Sequence, residues 1–154
     1  MQKPDQVYVS YIRSTPQKVW RAITEPEFAR QYWCGNVNIS EWKKGSKWEH
    51  VEDGNRAEVY VTGEVIESIP PKRLVLTWAD PDARADQSRV TFEIEPIADM
   101  VRLKVIHGDF QPGSEMAGKV AGGWPLVLSS LKSFLETGKG FENWAELKTC
   151  GSAA

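Results

Sequence analysis

Cysteine and histidine are scarce in this chain, with two of each among 154 residues. Cys34 and Cys150 make no disulfide framework and read as free thiols. His50 and His107 stand alone, with no Cys or His at ligand spacing, so a metal site has nothing to build on and no cofactor is expected. Long apolar runs are missing too. Residues 1–6 lack the hydrophobic stretch of a secretory leader, and no window approaches the roughly 18 apolar residues of a membrane span. A cytoplasmic chain without membrane insertion is expected. Neither sign of charge dominates, Lys plus Arg numbering 19 against 21 for Asp plus Glu. No basic run could follow a phosphate backbone, which argues against nucleic acid as a partner. Catalytic motifs are absent as well: a Cys34 and His107 pair lacks the electropositive setting that a reactive thiolate needs. Enzymatic activity is therefore not the expectation.

What remains suits one domain. The composition is 41% hydrophobic with seven tryptophans, and a chain of this size buries roughly 68–70% of the surface its unfolded form exposes. The clearest element runs from Gly122 to Gly138. There Trp124, Val127, Leu128, Leu131, Phe134 and Leu135 recur at helical spacing, with Ser129, Ser133, Lys132 and Glu136 opposite. Extended backwards, the stripe takes in Met116, Ala117, Val120 and Ala121, so its upstream half is mostly small. Small residues on the inner face of a helix laid across a sheet either roof a cavity, as suits ligand sites that are concave and mostly apolar, or, through Ala117 and Ala121, let the helix approach the sheet closely with no cavity.

Ahead of the helix the period is two. Val7, Val9 and Tyr11 alternate with Tyr8 and Ser10. Thr15-Pro16 then offers an N-cap followed by proline at the first helical position, and Pro26 separates two short helices. From Gly35 to His107 six further strands are marked on one face by Val37 and Ile39, Trp48 and His50, Val59, Val61 and Val65, Leu74, Leu76 and Trp78, Val90, Phe92 and Ile94, and Val101, Leu103, Val105 and His107. Lys44-Gly45, Asp53-Gly54-Asn55 and Pro70-Pro71 read as turns, and residues 80–88 as a longer loop. One dry and one wet face suit an antiparallel sheet covered on one side. The expected domain spans residues 6–138. Residues 139–154 lose the periodicity and read as a C-terminal tail, with Phe141 and Trp144 as the groups able to dock.

The order of strand, two short helices, antiparallel strands and long C-terminal helix resembles the helix-grip fold of the START and birch-pollen-allergen superfamily, also called SRPBCC. Local motifs narrow the resemblance. Thr15-Pro16 with Val19-Trp20, Tyr32-Trp33-Cys34-Gly35, Lys44-Gly45-Ser46, Gly63-Glu64-Val65 followed by Pro71 and Leu74, the strand ending at His107, and Gly123-Trp124-Pro125 with Leu135-Glu136-Thr137-Gly138 resemble the family of activator of heat-shock-protein-90 ATPase homologues. The chain departs from that pattern at Ile97-Ala98-Asp99-Met100, which lacks the usual hairpin glycine, and at Ser46, where a second glycine is common. The resemblance implies an α+β fold in which about seven antiparallel strands wrap around the long helix. It also implies a cavity reused across the superfamily for lipids, hormones, polyketides and flavonoids.

Together these readings predict binding of a small hydrophobic or amphipathic ligand between helix and sheet. The expected lining is Trp33, Trp48, Trp78, Phe92, Leu103, His107, Ala117, Val120, Ala121 and Trp124. Indoles stack on flat ligands and want an N–H partner, and an inward His107 could bond a carboxylate or carbonyl. Two alternatives follow from the resemblance alone: a co-chaperone-like module with a protein partner, and a cofactor-free polyketide cyclase or aromatase.

Overall fold

The computed structural model describes residues 3–147. Strand β1 (Gln6–Ile12) leads into helices α1 (Pro16–Thr24) and α2 (Pro26–Ala29). Strands β2 (Asn36–Ser40), β3 (Lys47–Glu52), β4 (Asn55–Ile69), β5 (Arg73–Trp78), β6 (Ser88–Ile97) and β7 (Met100–Gly108) follow. The long helix α3 (Met116–Thr137) and the short α4 (Trp144–Leu147) complete the order. The seven strands form one antiparallel sheet in the order β1-β7-β6-β5-β4-β3-β2. Every neighbour is a sequence neighbour except β1 and β7, which join the ends of the strand run. This is the helix-grip architecture.

Local chemistry accounts for the element ends. Thr15 caps α1 by accepting the Lys18 N–H at 3.3 Å, with Pro16 just inside the helix. At its other end three consecutive carbonyls receive side-chain donors from three places. Tyr32 Oη donates to Ala22, Asn38 Nδ2 to Ile23 and Trp42 Nε1 to Thr24, at 2.9, 2.9 and 3.0 Å. The orphan acceptors of a helix C-terminus are thus satisfied. Gly138 closes α3 at φ 88°, its N–H on the Phe134 carbonyl. The β6–β7 hairpin carries Ala98 at φ 53°. It therefore holds an alanine in the left-handed region that a glycine would enter without strain.

The start of α3 is held from far away. One oxygen of Asp86, in the loop before β6, accepts the N–H groups of Glu115 and Met116 at 3.1 and 3.0 Å, a carboxylate at the positive end of the helix dipole. Gln6 donates to the Ala117 carbonyl at 2.8 Å. Pro125 lies within the helix and has no N–H to return to the carbonyl one turn back.

Residues 139–147 fold back onto the body. Phe141 N–H bonds Ser130 Oγ at 2.8 Å, Ser133 Oγ bonds the Lys139 carbonyl at 2.7 Å, and Trp144 is buried. Gly140 lies so close to the Gln31 and Tyr32 backbone that a Cβ would collide with it. Cys34 is disulfide-bonded, which corrects the expectation of a free thiol there. The sequence pattern gave no sign that the tail returns beside the Tyr32-Trp33-Cys34 turn. Disulfides are rare in a reducing cytoplasm, and the cytoplasmic expectation does not account for this one. Cys150 and the rest of the tail lie outside the described residues. No helix among the described residues is long and apolar enough to cross a membrane.

Candidate functional site

Beneath α3 the inner sheet face is built from aromatic rings. Trp48 from β3 lies 5.2 Å from Trp78 of β5, Trp78 lies 5.5 Å from Trp124 of α3, and Trp124 lies 5.9 Å from Trp33 in the turn after α2. Phe92 of β6 meets Trp124 edge-on at 5.9 Å. Trp124 is the hub, and such tilted and edge-to-face pairs add to the burial of each ring. Leu103, Ala117 and Val120 are buried around them.

Nine of the ten expected lining residues are buried here. Ala121 is not, and this corrects the sequence reading: it is exposed to solvent. Each residue turns a helix by about 100°, so Ala121 falls past the edge of the arc centred between Val120, Trp124, Val127 and Leu131.

His107 is fully buried, and its hydrogen bonds fix its tautomer. Trp124 Nε1 donates to Nδ1 at 3.0 Å, so the ring proton sits on Nε2 and is directed at Ser88 Oγ, 2.7 Å away. Ser88 in turn donates to the Trp78 carbonyl at 3.3 Å. Burial pushes the imidazole down to about 3, so it is neutral at physiological pH. A serine beside a histidine invites comparison with a nucleophilic dyad, but the proton is on the wrong nitrogen. A base must present a free lone pair to the hydroxyl, and here the indole N–H holds that lone pair on the opposite side of the ring.

His50 has the opposite tautomer. Its Nδ1–H donates to Asn38 Oδ1 at 2.8 Å, and Nε2 faces the Asn36 amide at 3.5 Å. It too is pushed down to about 3 by burial. Asn36, Asn38 and Ser88, all buried, were missed by sequence reasoning. Asn38 sits on the alternation opposite Val37 and Ile39 and so read as solvent-facing, but it pairs across the sheet with His50. Ser88 could have been found: it lies in step with Val90, Phe92 and Ile94 on the inner face.

The four buried indoles beneath α3 split evenly in their polar accounting. Trp124 bonds His107, and Trp48 bonds the Thr77 carbonyl at 2.7 Å. The N–H groups of Trp33 and Trp78 are buried with no hydrogen-bond partner. A buried donor left unpaired costs about 1–3 kcal/mol, and both belong to rings packed on Trp124. Concave surface lies elsewhere along α3. A groove of about 210 Å³ is lined by Lys18, Arg21, Ala22, Phe28, Phe134, Leu135 and Gly138. Among the described residues no three His, Cys, Asp or Glu side chains gather where a metal ion could sit.

A family model described as "Activator of Hsp90 ATPase homolog 1-like protein" matches residues 13–136. Three solved structures share the fold. Protein MLL2253 from Mesorhizobium loti is 28% identical, with 86% of this chain and 96% of that one covered and a TM-score of 0.70. CalU16 from Micromonospora echinospora is 18% identical, covers 93% and 80%, and has a TM-score of 0.71. The Aha1 dimer from Colwellia psychrerythraea is 20% identical, covers 90% and 100%, and has a TM-score of 0.69. No curated protein matches the sequence.

Proposed function

The chain belongs to the family of Activator of Hsp90 ATPase homolog 1-like proteins, and from that premise we propose that it binds a small apolar or amphipathic molecule between α3 and the sheet. The apolar part of the ligand lies among the rings of Trp33, Trp78, Phe92 and Trp124, and an acceptor oxygen takes an indole N–H. The single observation that carries this reading is the pair of unpartnered donors at Trp33 and Trp78 within one aromatic cluster; the other buried atoms without a partner, Ser14 Oγ, Ser68 Oγ and one Asp86 oxygen, belong to no ring of it. Buried polar groups are nearly always paired, and two gaps in one aromatic cluster suit a site whose last acceptor arrives from outside.

Entry is through the upstream half of α3. Gly118, Gly122 and Gly123 fall between residues 116 and 124, and Pro125 follows directly. Each glycine weakens a helix interior by about 1 kcal/mol relative to alanine, so this stretch yields more readily than the rest of the helix. The binding unit is taken as residues 6–138.

Titration with decanoate, and in parallel with decanol, followed by tryptophan fluorescence, tests the reading. Saturable binding of at least one is expected. Trp78→Phe keeps a six-membered ring and deletes the N–H with the rest of the indole, so it should weaken that binding at least about fivefold, the scale of one hydrogen bond of about 1 kcal/mol. No saturation with either probe, or equal affinity in Trp78→Phe and Trp33→Phe, would overturn the proposal.

A further inference from the structure

We propose that the groove between α1, α2 and the end of α3 is a second binding site, which takes a small carboxylate carrying a single aromatic ring. Its floor is apolar: Ala22 is buried, and Phe28, Phe134 and Leu135 are half-buried around it. The volume of about 210 Å³ exceeds the roughly 150 Å³ of a cavity that accepts benzene and falls short of the roughly 300 Å³ at which drug-sized sites begin. One ring therefore fits. The rings of Phe28 and Phe134 stand 6.4 Å apart at 46°, and such aromatic walls favour a flat guest.

Charge selects the guest's polar end. Both charged residues of the lining are cations, Lys18 and Arg21, three positions apart on α1 and so neighbours on its surface. Arg21 is fixed twice: its Nε donates to Glu25 at 2.8 Å, and its guanidinium carbon lies 4.9 Å from the centre of the Phe28 ring. Its Nη1 and Nη2 form no hydrogen bond among the described residues, which leaves the end of the fork free to take a carboxylate over the aromatic wall. Glu27 acts on Arg21 only at longer range. Lys18 has no carboxylate at ion-pair distance among the described residues, so an anionic guest supplies the counter-charge that the fold does not. Tyr32 separates this groove from the tryptophans. It is buried, stacks on Phe134 at 5.9 Å, lies 5.9 Å from Trp33 and closes the Ala22 carbonyl with its hydroxyl. The site is therefore distinct from the one beneath α3 and does not depend on it.

Phenylacetate tests the proposal, titrated into the isotope-labelled full chain and followed by amide NMR shifts, with phenethyl alcohol as its neutral counterpart and phenethylamine as its cationic one. Saturable shifts at residues 18–22 and 134–138 are expected with phenylacetate, at a dissociation constant on the order of 1 mM or tighter for a ligand of this size. Phenethyl alcohol should bind more weakly and phenethylamine most weakly of the three. Lys18→Met keeps the apolar stem and removes the charge. It should weaken phenylacetate at least about threefold, the scale of one exposed ion pair, and leave phenethyl alcohol unchanged, while Lys18→Arg keeps the original affinity. Arg21→Met should act as Lys18→Met does; both positions are exposed, so the fold tolerates either change. Equal affinity for the three probes, or phenylacetate binding indifferent to Lys18→Met, would overturn the proposal. So would shifts confined to Trp33, Trp78 and Trp124, which would place the probe beneath α3, or shifts of the groove amides with protein concentration alone, which would give the groove to a second copy.

Discussion

Residues 116–124 and 125–137 belong to one helix, yet they are held by different means. The downstream half is anchored on every side. Val127, Leu128 and Leu131 are buried, Phe134 stacks on Tyr32 at 5.9 Å, Glu136 accepts the Arg13 N–H, and the returning tail bonds Ser130 and Ser133. The upstream half is anchored by Met116, Val120 and Trp124, has a carboxylate at its tip and carries three glycines. It also covers the two unpaired indole donors. The stiff half secures the fold and the loose half lies over the site, in keeping with the rule that moving parts come from the low-stability end of a structure.

The most severe way to break this contrast is acid. Both buried imidazoles are held down at about 3, against an ordinary value near 6.5 in the unfolded chain. Above pH 6.5 neither state takes up a proton and stability is level. Between pH 6.5 and 3 the unfolded chain binds protons that the folded chain refuses, so stability falls as pH falls, by roughly 3 kcal/mol per pH unit for the two groups together. His107→Gln can still accept from Trp124 and donate to Ser88 but does not titrate, and should about halve that slope in denaturant melts across the window. An unchanged slope would mean that the imidazole under the loose half is not one of the groups that set it.

A smaller effect should come from the tail. Ending the chain after Gly138, with Cys34→Ser in both the full-length and the shortened protein, removes Trp144 and the bonds to Ser130 and Ser133. A loss of about 2 kcal/mol is expected for burying one large side chain, read from thermal or urea unfolding, and it should make the downstream half behave more like the upstream one. A loss under about 1 kcal/mol would set the folding unit at residues 6–138.

Smallest are the gains available in the loose half. A Cβ at Gly118 or Gly122 meets open space, so alanine at each should stabilise the protein by about 1 kcal/mol. The paired variant should also slow decanoate uptake in stopped-flow fluorescence. Faster or unaltered uptake with the expected gain in stability would show that the upstream half is not the way in.

Elements with a regular period were legible before any coordinates. Seven strands, the Thr15 cap, the break at Pro26 and the Gly138 terminus all followed from spacing and turn chemistry. Burial was less legible where it depends on a neighbour distant in sequence. Val7, Val9 and Tyr11 alternate like a core face but are exposed, because they pair with Ile106, Lys104 and Arg102 on the outer face of the sheet, while Tyr8 and Ser10 pair with the buried Val105 and Leu103. Asn36 and Asn38 look like a wet face but are buried, because α1 and α2 pack against β2 and His50 supplies a polar partner. Ala121 missed the core by a fraction of a helical turn, and Asp86 reaches the start of α3 across 30 positions of sequence. In the candidate site the tryptophans were legible as inward. Which indoles lack a partner was not, since that depends on where Thr77, Ser88 and His107 place their acceptors.

The triple closure at the end of α1 has a kinetic consequence. Its donors at Tyr32, Asn38 and Trp42 lie 10, 15 and 18 positions from the carbonyls they serve. Residues 16–42 can therefore finish one another's hydrogen bonds while the rest of the chain is still open. Pairing Gln6 with His107 must instead close nearly the whole length of the sheet. Short loops close at little entropic cost and long ones late. On this reading the α1–α2–β2 corner is an early nucleus, and the β1–β7 seam is the last to form and the first to open.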